Sequence, residues 1–112
     1  MQAFELNDLI EAHGEQGELY LEFLRVPDLS MGLYRLPAGG EDPQNPHNED
    51  EVYYVVEGRA KLNVDGEDRP VRPGSVVYVA AEVPHYFHSI SEALTVLVFF
   101  APAETEPASG RE

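Results

Sequence analysis

The sequence predicts an all-β sandwich or barrel, and three observations carry that expectation. Short runs rich in Val, Leu, Tyr and Phe recur along the chain, roughly eight to ten of them, as in strands of an all-β domain. Gly, Pro and Asp-Gly pairs punctuate them every six to twelve residues or so, the spacing of turns in sandwiches and barrels. Two of the runs, Val52 to Val56 and Ala93 to Phe100, are apolar on both faces. A strand with one face in water alternates instead.

Taken in order, the chain opens with its one helical signal. Asn7 is placed to cap a short helix through Asp8 to Ala12, and Gly14 to end it. Phe4, Leu6, Leu9 and Ile10 would pack that helix on the barrel, with His13 at its surface end. Glu18 to Arg25 reads as a strand between Gly17 and Pro27, and Met31 to Leu36 as a second, closed by Pro37 and Gly39-Gly40. Glu41 to Pro46 is a polar loop with two prolines. Strands follow at Val52 to Val56 and Arg59 to Val64. Asp65-Gly66 is a hairpin turn, and Glu67 to Arg72 returns. After Pro73-Gly74 come Val76 to Ala80, Pro84 to Ser89 and Ala93 to Phe100. Residues 1–102 form a single domain on this reading, and Ala103 to Glu112 has the composition of a disordered tail.

Composition narrows the function classes. A chain of 112 residues that is 43% hydrophobic has the size and apolar content of one domain. No stretch is long and apolar enough to span a membrane, and the first residues lack the basic start and apolar run of a secretory signal. With no cysteine there is neither a disulfide framework nor a thiolate metal site, which fits a cytoplasmic protein. A formal charge of -14, with seven scattered Lys and Arg, argues against nucleic acid, whose phosphates need clustered cations.

The stretch from Asn45 to Gly58 carries the chemistry. Alternate residues of a strand share a face, so a strand beginning early puts His47, Glu49, Glu51, Tyr53 and Val55 on one side. Imidazole nitrogen and carboxylate oxygen are ligands that zinc, iron, manganese and nickel accept. His47, three residues, Glu51, six residues and Gly58 reproduce most of the first motif of the cupin superfamily, a glycine, His-x-His, three or four residues, glutamate, six residues and glycine. Gly74 and His85 stand at the separation of the glycine and histidine in its second motif. The sequence therefore resembles a small single-domain metal-binding cupin. It departs from the pattern at Asn45, where the family has its first histidine, and at Ala80, Glu82 and Ser89, where it has proline, glycine and asparagine.

The resemblance implies a double-stranded β-helix, a jelly-roll barrel, with a short N-terminal helix. It implies that His47, Glu51 and His85 meet inside one end of the barrel around a divalent transition metal (Fe, Zn, Mn or Ni). Asn45, Glu49 and His88 would be fourth or outer-shell groups, and Tyr53, Val55 and Phe87 would line the pocket. Dioxygenase, isomerase or decarboxylase chemistry on a small organic molecule is one functional expectation. The alternative is a non-catalytic small-ligand-binding or sensing cupin with a structural or absent metal. The two apolar-on-both-faces strands add the expectation of a homodimer.

Overall fold

The computed structural model describes residues 1–105. Among them, one helix and six antiparallel strands follow in the order α1 (Leu6–Gln16), β1 (Tyr20–Val26), β2 (Leu29–Leu36), β3 (Asp50–Val64), β4 (Glu67–Val71), β5 (Val76–Val79) and β6 (His85–Ala101). The expected pairs 52–56 with 59–64, and 84–89 with 93–100, are thus two long strands rather than four short ones. Each is a single element bent in the middle, which sequence punctuation reads as an end.

The bend makes the barrel. Strand β3 pairs with β6 along nearly its whole length, from Asp50↔Ala101 to Val64↔His85, with register shifts between Val55 and Lys61. Bulges of this kind bend a strand and sharpen its twist. On the near side of the bulges, β3 also pairs with β5 (Glu51↔Val79), while β6 pairs with β2 and β2 with β1. On the far side, β3 pairs with β4 through the Asp65-Gly66 turn, both of whose residues have positive φ. Gly58 sits at the bend with φ 96°, and a Cβ there would lie 2.2 Å from the Ala93 carbonyl oxygen. Only glycine meets both demands.

A straight strand would hold Glu51 and Val64, the register partner of His85, about 40 Å apart. In the folded chain, Glu51 and His85 are in contact at 2.8 Å. The sheet has folded over on itself so that its two halves face each other, as in a double-stranded β-helix. The bulge also switches the inward parity of β3: Glu51, Tyr53 and Val55 are buried before it, and Gly58, Ala60 and Leu62 after it. The facing halves enclose Tyr34, Tyr53, Val55, Leu62, Phe87, Val98 and Phe100, all nearly inaccessible to solvent.

Three local expectations need correction. Helix α1 runs through Gly14 to Gln16 and ends at Gly17, which takes the left-handed conformation (φ 83°) with its N–H on the His13 carbonyl. Asn7 lies inside the first turn; Glu5 occupies the cap without a side-chain bond. His13 is buried rather than exposed, because the reversal at Gly17 brings the Leu19 carbonyl back to its Nε2 at 2.7 Å. Packing also continues past Pro102: Ala103 and Glu104 are buried, and Thr105 bonds to Glu49. Residues 106–112, the rest of the expected tail, lie outside the described residues.

Candidate metal centre

Three side chains from the two facing halves converge in the barrel. His47 leaves the loop before β3, Glu51 is the second residue of β3, and His85 begins β6. All three are buried, and each offers a donor atom within 4.8 Å of the other two. His85 Nε2 lies 2.8 Å from Glu51 Oε1, and His47 Nε2 lies 3.9 Å from the same oxygen. The rings sit with centroids 5.4 Å apart. The second-motif turn that delivers His85 passes through a left-handed residue. Glu82, standing where the family has glycine, adopts φ 67° and donates its N–H to the His47 carbonyl at 2.7 Å.

What lies behind each imidazole fixes what it presents in front. His85 Nδ1 is 2.8 Å from the Val83 carbonyl. His47 Nδ1 is 3.1 Å from the Glu104 carboxylate, itself buried. Both Nδ1 atoms thus face oxygens, and with a cation at the centre the neutral rings would keep their proton on Nδ1 and present the Nε2 lone pair to it. Glu104 is held in turn by Arg25, whose guanidinium donates to its carbonyl, and by Ser30 Oγ, which accepts its N–H at 2.9 Å. A carboxylate or carbonyl behind a histidine is the usual support of a metal-binding ring.

The centre is rich in acceptors. Glu51 Oε2 is buried and has no hydrogen-bond partner among the described residues. Burying a carboxylate without compensation costs several kcal/mol. Burial pushes the His85 imidazole down, but the Glu51 hydrogen bond and charge, helped by the Val83 carbonyl, outweigh it and hold it above its ordinary value. The same environment that favours a proton there favours a metal cation. An ion with ligand bonds of about 2.0–2.2 Å keeps adjacent donors about 3–3.5 Å apart, close to the spacings between these atoms. The residues therefore fit a divalent ion.

The remaining candidates divide. Tyr53, Val55 and Phe87 are buried in the interior, and the Tyr53 and Phe87 rings contact at 4.9 Å. Glu49 is buried but turned away from the centre; its Oε2 accepts the N–H and hydroxyl of Thr105 at 2.9 and 2.8 Å. His88 faces outward, with Nε2 2.8 Å from Asp68 on β4. Asn45 is exposed, and its neighbour Gln44 is buried in its place, with Oε1 at 3.1 Å from Nε2 of both histidines and from the Tyr53 hydroxyl. Residues 37–49 form no strand, so the alternation that favours Asn45 over Gln44 does not extend back to them. The glutamine and Glu104 are the participants that sequence spacing missed. Neither carries a periodic signal.

A cupin-domain family model matches residues 32–100, more than half of the chain. An uncharacterized protein of Streptomyces coelicolor is 51% identical over 105 residues, covering 94% of this chain and 100% of its own length. The polyketide synthase CurC of Streptomyces cyaneus is 29% identical over 82 residues, 71% of this chain and 53% of that protein. Among solved structures, ectoine synthase from P. lautus superposes with a TM-score of 0.74 at 20% identity, over 92% of this chain and 79% of the other. A structure from Thermus thermophilus does so with 0.72 at 25%, over 92% and 99%. The folded-over sheet, the two motifs and the family match agree: the chain belongs to the cupin family.

Proposed function

We propose that the protein is a mononuclear metal cupin that holds a divalent transition ion on His47, Glu51 and His85 and acts on a small organic molecule in the barrel. The observation that carries this reading is the convergence of two imidazoles and a carboxylate with an unpartnered oxygen at one buried point. Such an ion supplies Lewis acidity toward substrate oxygens, and redox chemistry if it is iron. The chain's own part is to orient and exclude. Val83 and Glu104 hold the two rings. Tyr53, Phe87 and Phe100 wall the site with aromatic surface, keeping bulk water out and giving a small organic molecule apolar contact. The Tyr53 hydroxyl, pointed at the centre, is a hydrogen-bond donor for a bound polar group. Similar proteins named as a polyketide synthase and an ectoine synthase support small-molecule chemistry as the class.

Elemental analysis of the purified protein tests the reading. About one equivalent of a transition metal per chain, lost in His47→Ala and His85→Ala, is expected; metal-free protein that binds none on addition overturns it. Exposed Asn45, at the family's first histidine position, favours a second reading, a binding or sensing cupin without turnover. Loaded protein that binds small carboxylic acids without converting them would select it.

The outer face supports a homodimer as well. Tyr54, Val76 and Tyr78 are 41%, 66% and 60% exposed on adjoining strands, with Tyr54 opposite Val76 in the ladder. A cluster of large apolar side chains is costly to leave in water in so acidic a chain, and a two-fold pair covers it. Sedimentation equilibrium should give twice the 12.5 kDa chain mass, falling to one in a Val76→Asp, Tyr78→Asp variant.

A further inference from the structure

We propose that Gln44 is the fourth protein donor of the centre, with its amide oxygen in the role that the family's first-motif histidine would fill. The proposal rests on the metal reading above and specifies its ligand set. Its basis is the placement of one oxygen: Gln44 Oε1 stands 3.1 Å from His47 Nε2 and 3.1 Å from His85 Nε2. Those are the two imidazole nitrogens that also face Glu51 Oε1.

An amide has a donor end and an acceptor end, so its orientation decides its chemistry. Asp42 decides it here. Its Oδ2 accepts Gln44 Nε2 at 2.5 Å, and a carboxylate facing the oxygen end instead would set acceptor against acceptor. Asp42 is itself fixed by the Tyr34 hydroxyl and by the Phe87 N–H at 2.8 Å. That lashing ties the loop to β2 and β6 and leaves Gln44 with its oxygen pointing into the barrel. Together with Glu51 Oε1, two imidazole nitrogens and two oxygens then surround one volume, and with each ring neutral and protonated on Nδ1 all four are donors to a cation. Such an arrangement is stabilised by a cation.

The donor set also bears on which cation. Replacing an imidazole by a neutral amide oxygen turns three nitrogens and one oxygen into two of each, and oxygen donors suit harder ions such as Mn(II) better than they suit zinc or copper. Gln44 thus shifts the site toward manganese or ferrous iron relative to a histidine at the same place. Asp42 is a positioning residue, acting only through the amide.

Cobalt(II) is the probe, because its visible absorption reports donor type and number while competition with a chelating dye reports affinity. Gln44→Leu keeps the volume and removes the oxygen; it should weaken cobalt binding about 10-fold or more, the scale seen when a metal site's supports are lost, and alter the visible bands. Gln44→His should restore affinity and tighten zinc more than manganese. Asp42→Asn should alter the cobalt bands without unfolding the protein. Unchanged spectrum and affinity in Gln44→Leu overturn the proposal while leaving the three-ligand centre standing. Loss in Asn45→Ala but not in Gln44→Leu also overturns it, in favour of Asn45. Wild-type protein that takes up no cobalt removes the metal reading and this inference together.

Discussion

His85 and His88 stand three residues apart on β6, and each has Nε2 2.8 Å from a carboxylate oxygen. The His85–Glu51 side chains are each 1% exposed; those of His88 and Asp68 are 29% and 49% exposed. In water the second pair is screened and worth little. In the barrel the first pair has no water to share its charge, and its remaining oxygen has no partner among the described residues. The same contact is a surface ornament in one place and the core of a candidate metal centre in the other. Solvent, not distance, separates them. A residue's position relative to the bulged strand pair sets its solvent, so the local twist of β3 and β6 assigns the chemistry.

The contrast can be strained hardest through the neighbours of the two histidines. Phe87 is buried and Tyr86 is 45% exposed, though they adjoin on the same strand. Phe87→Ala should cost about 3–5 kcal/mol of unfolding free energy through the cavity it leaves, and Tyr86→Ala within about 0.5. Urea unfolding of metal-free protein measures both. Similar costs would mean that the inner and outer faces of β6 are not as distinct as described.

Next in size is the pair itself. His85→Ala should weaken metal binding at least about 100-fold, beyond the 10–100-fold typical of losing only an outer-shell support. His88→Ala should leave stoichiometry and affinity as they are. Equal loss in both would erase the distinction.

A smaller effect sharpens the account of how the buried imidazoles are aimed. Glu104→Ala removes the carboxylate behind His47; affinity should fall about 10-fold while the unfolding midpoint of the metal-free protein moves little. A fall in stability with no change in affinity would make Glu104 a packing residue only.

The smallest effect lies at the exposed pair. The Asn63 and His88 hydrogen bonds hold the Asp68 carboxyl below its ordinary 3.8. A depressed carboxylate contributes stability that is complete above its unfolded-state pKa and lost as pH falls through the folded one. Asp68 should therefore titrate below 3.8 by NMR, and His88→Ala should move its midpoint upward. No movement would show the contact to be transient in solution.

Much of this was legible in the residues, for reasons that differ from place to place. Asp65-Gly66 gave the hairpin because two successive positive φ values select those residue types. Gly58 marked an end of local regularity and is in fact a bend, since a glycine reports permissive backbone without saying whether the strand resumes. His47, Glu51 and His85 were readable from motif spacing, because a motif records a three-dimensional convergence that the fold family repeats. Gln44 was not, since alternation holds only inside a strand and residues 37–49 form none.

By itself the sequence determined the all-β class, the shared inner face of Glu51, Tyr53 and Val55, and which three side chains could meet. Those follow from local geometry, a period of two along an extended chain, and from the spacing of the two motifs. Tertiary structure alone decided that 50–64 and 85–101 are single bent strands, that His13 and Glu104 are buried, and that an amide lashed to Asp42 reaches the centre while Asn45 is exposed. These depend on contacts between distant residues, such as Arg25 on the Glu104 carbonyl, 79 positions apart, and the Phe87 N–H on Asp42, 45 apart. Burial at such places is set by what packs from elsewhere, and no local pattern encodes it.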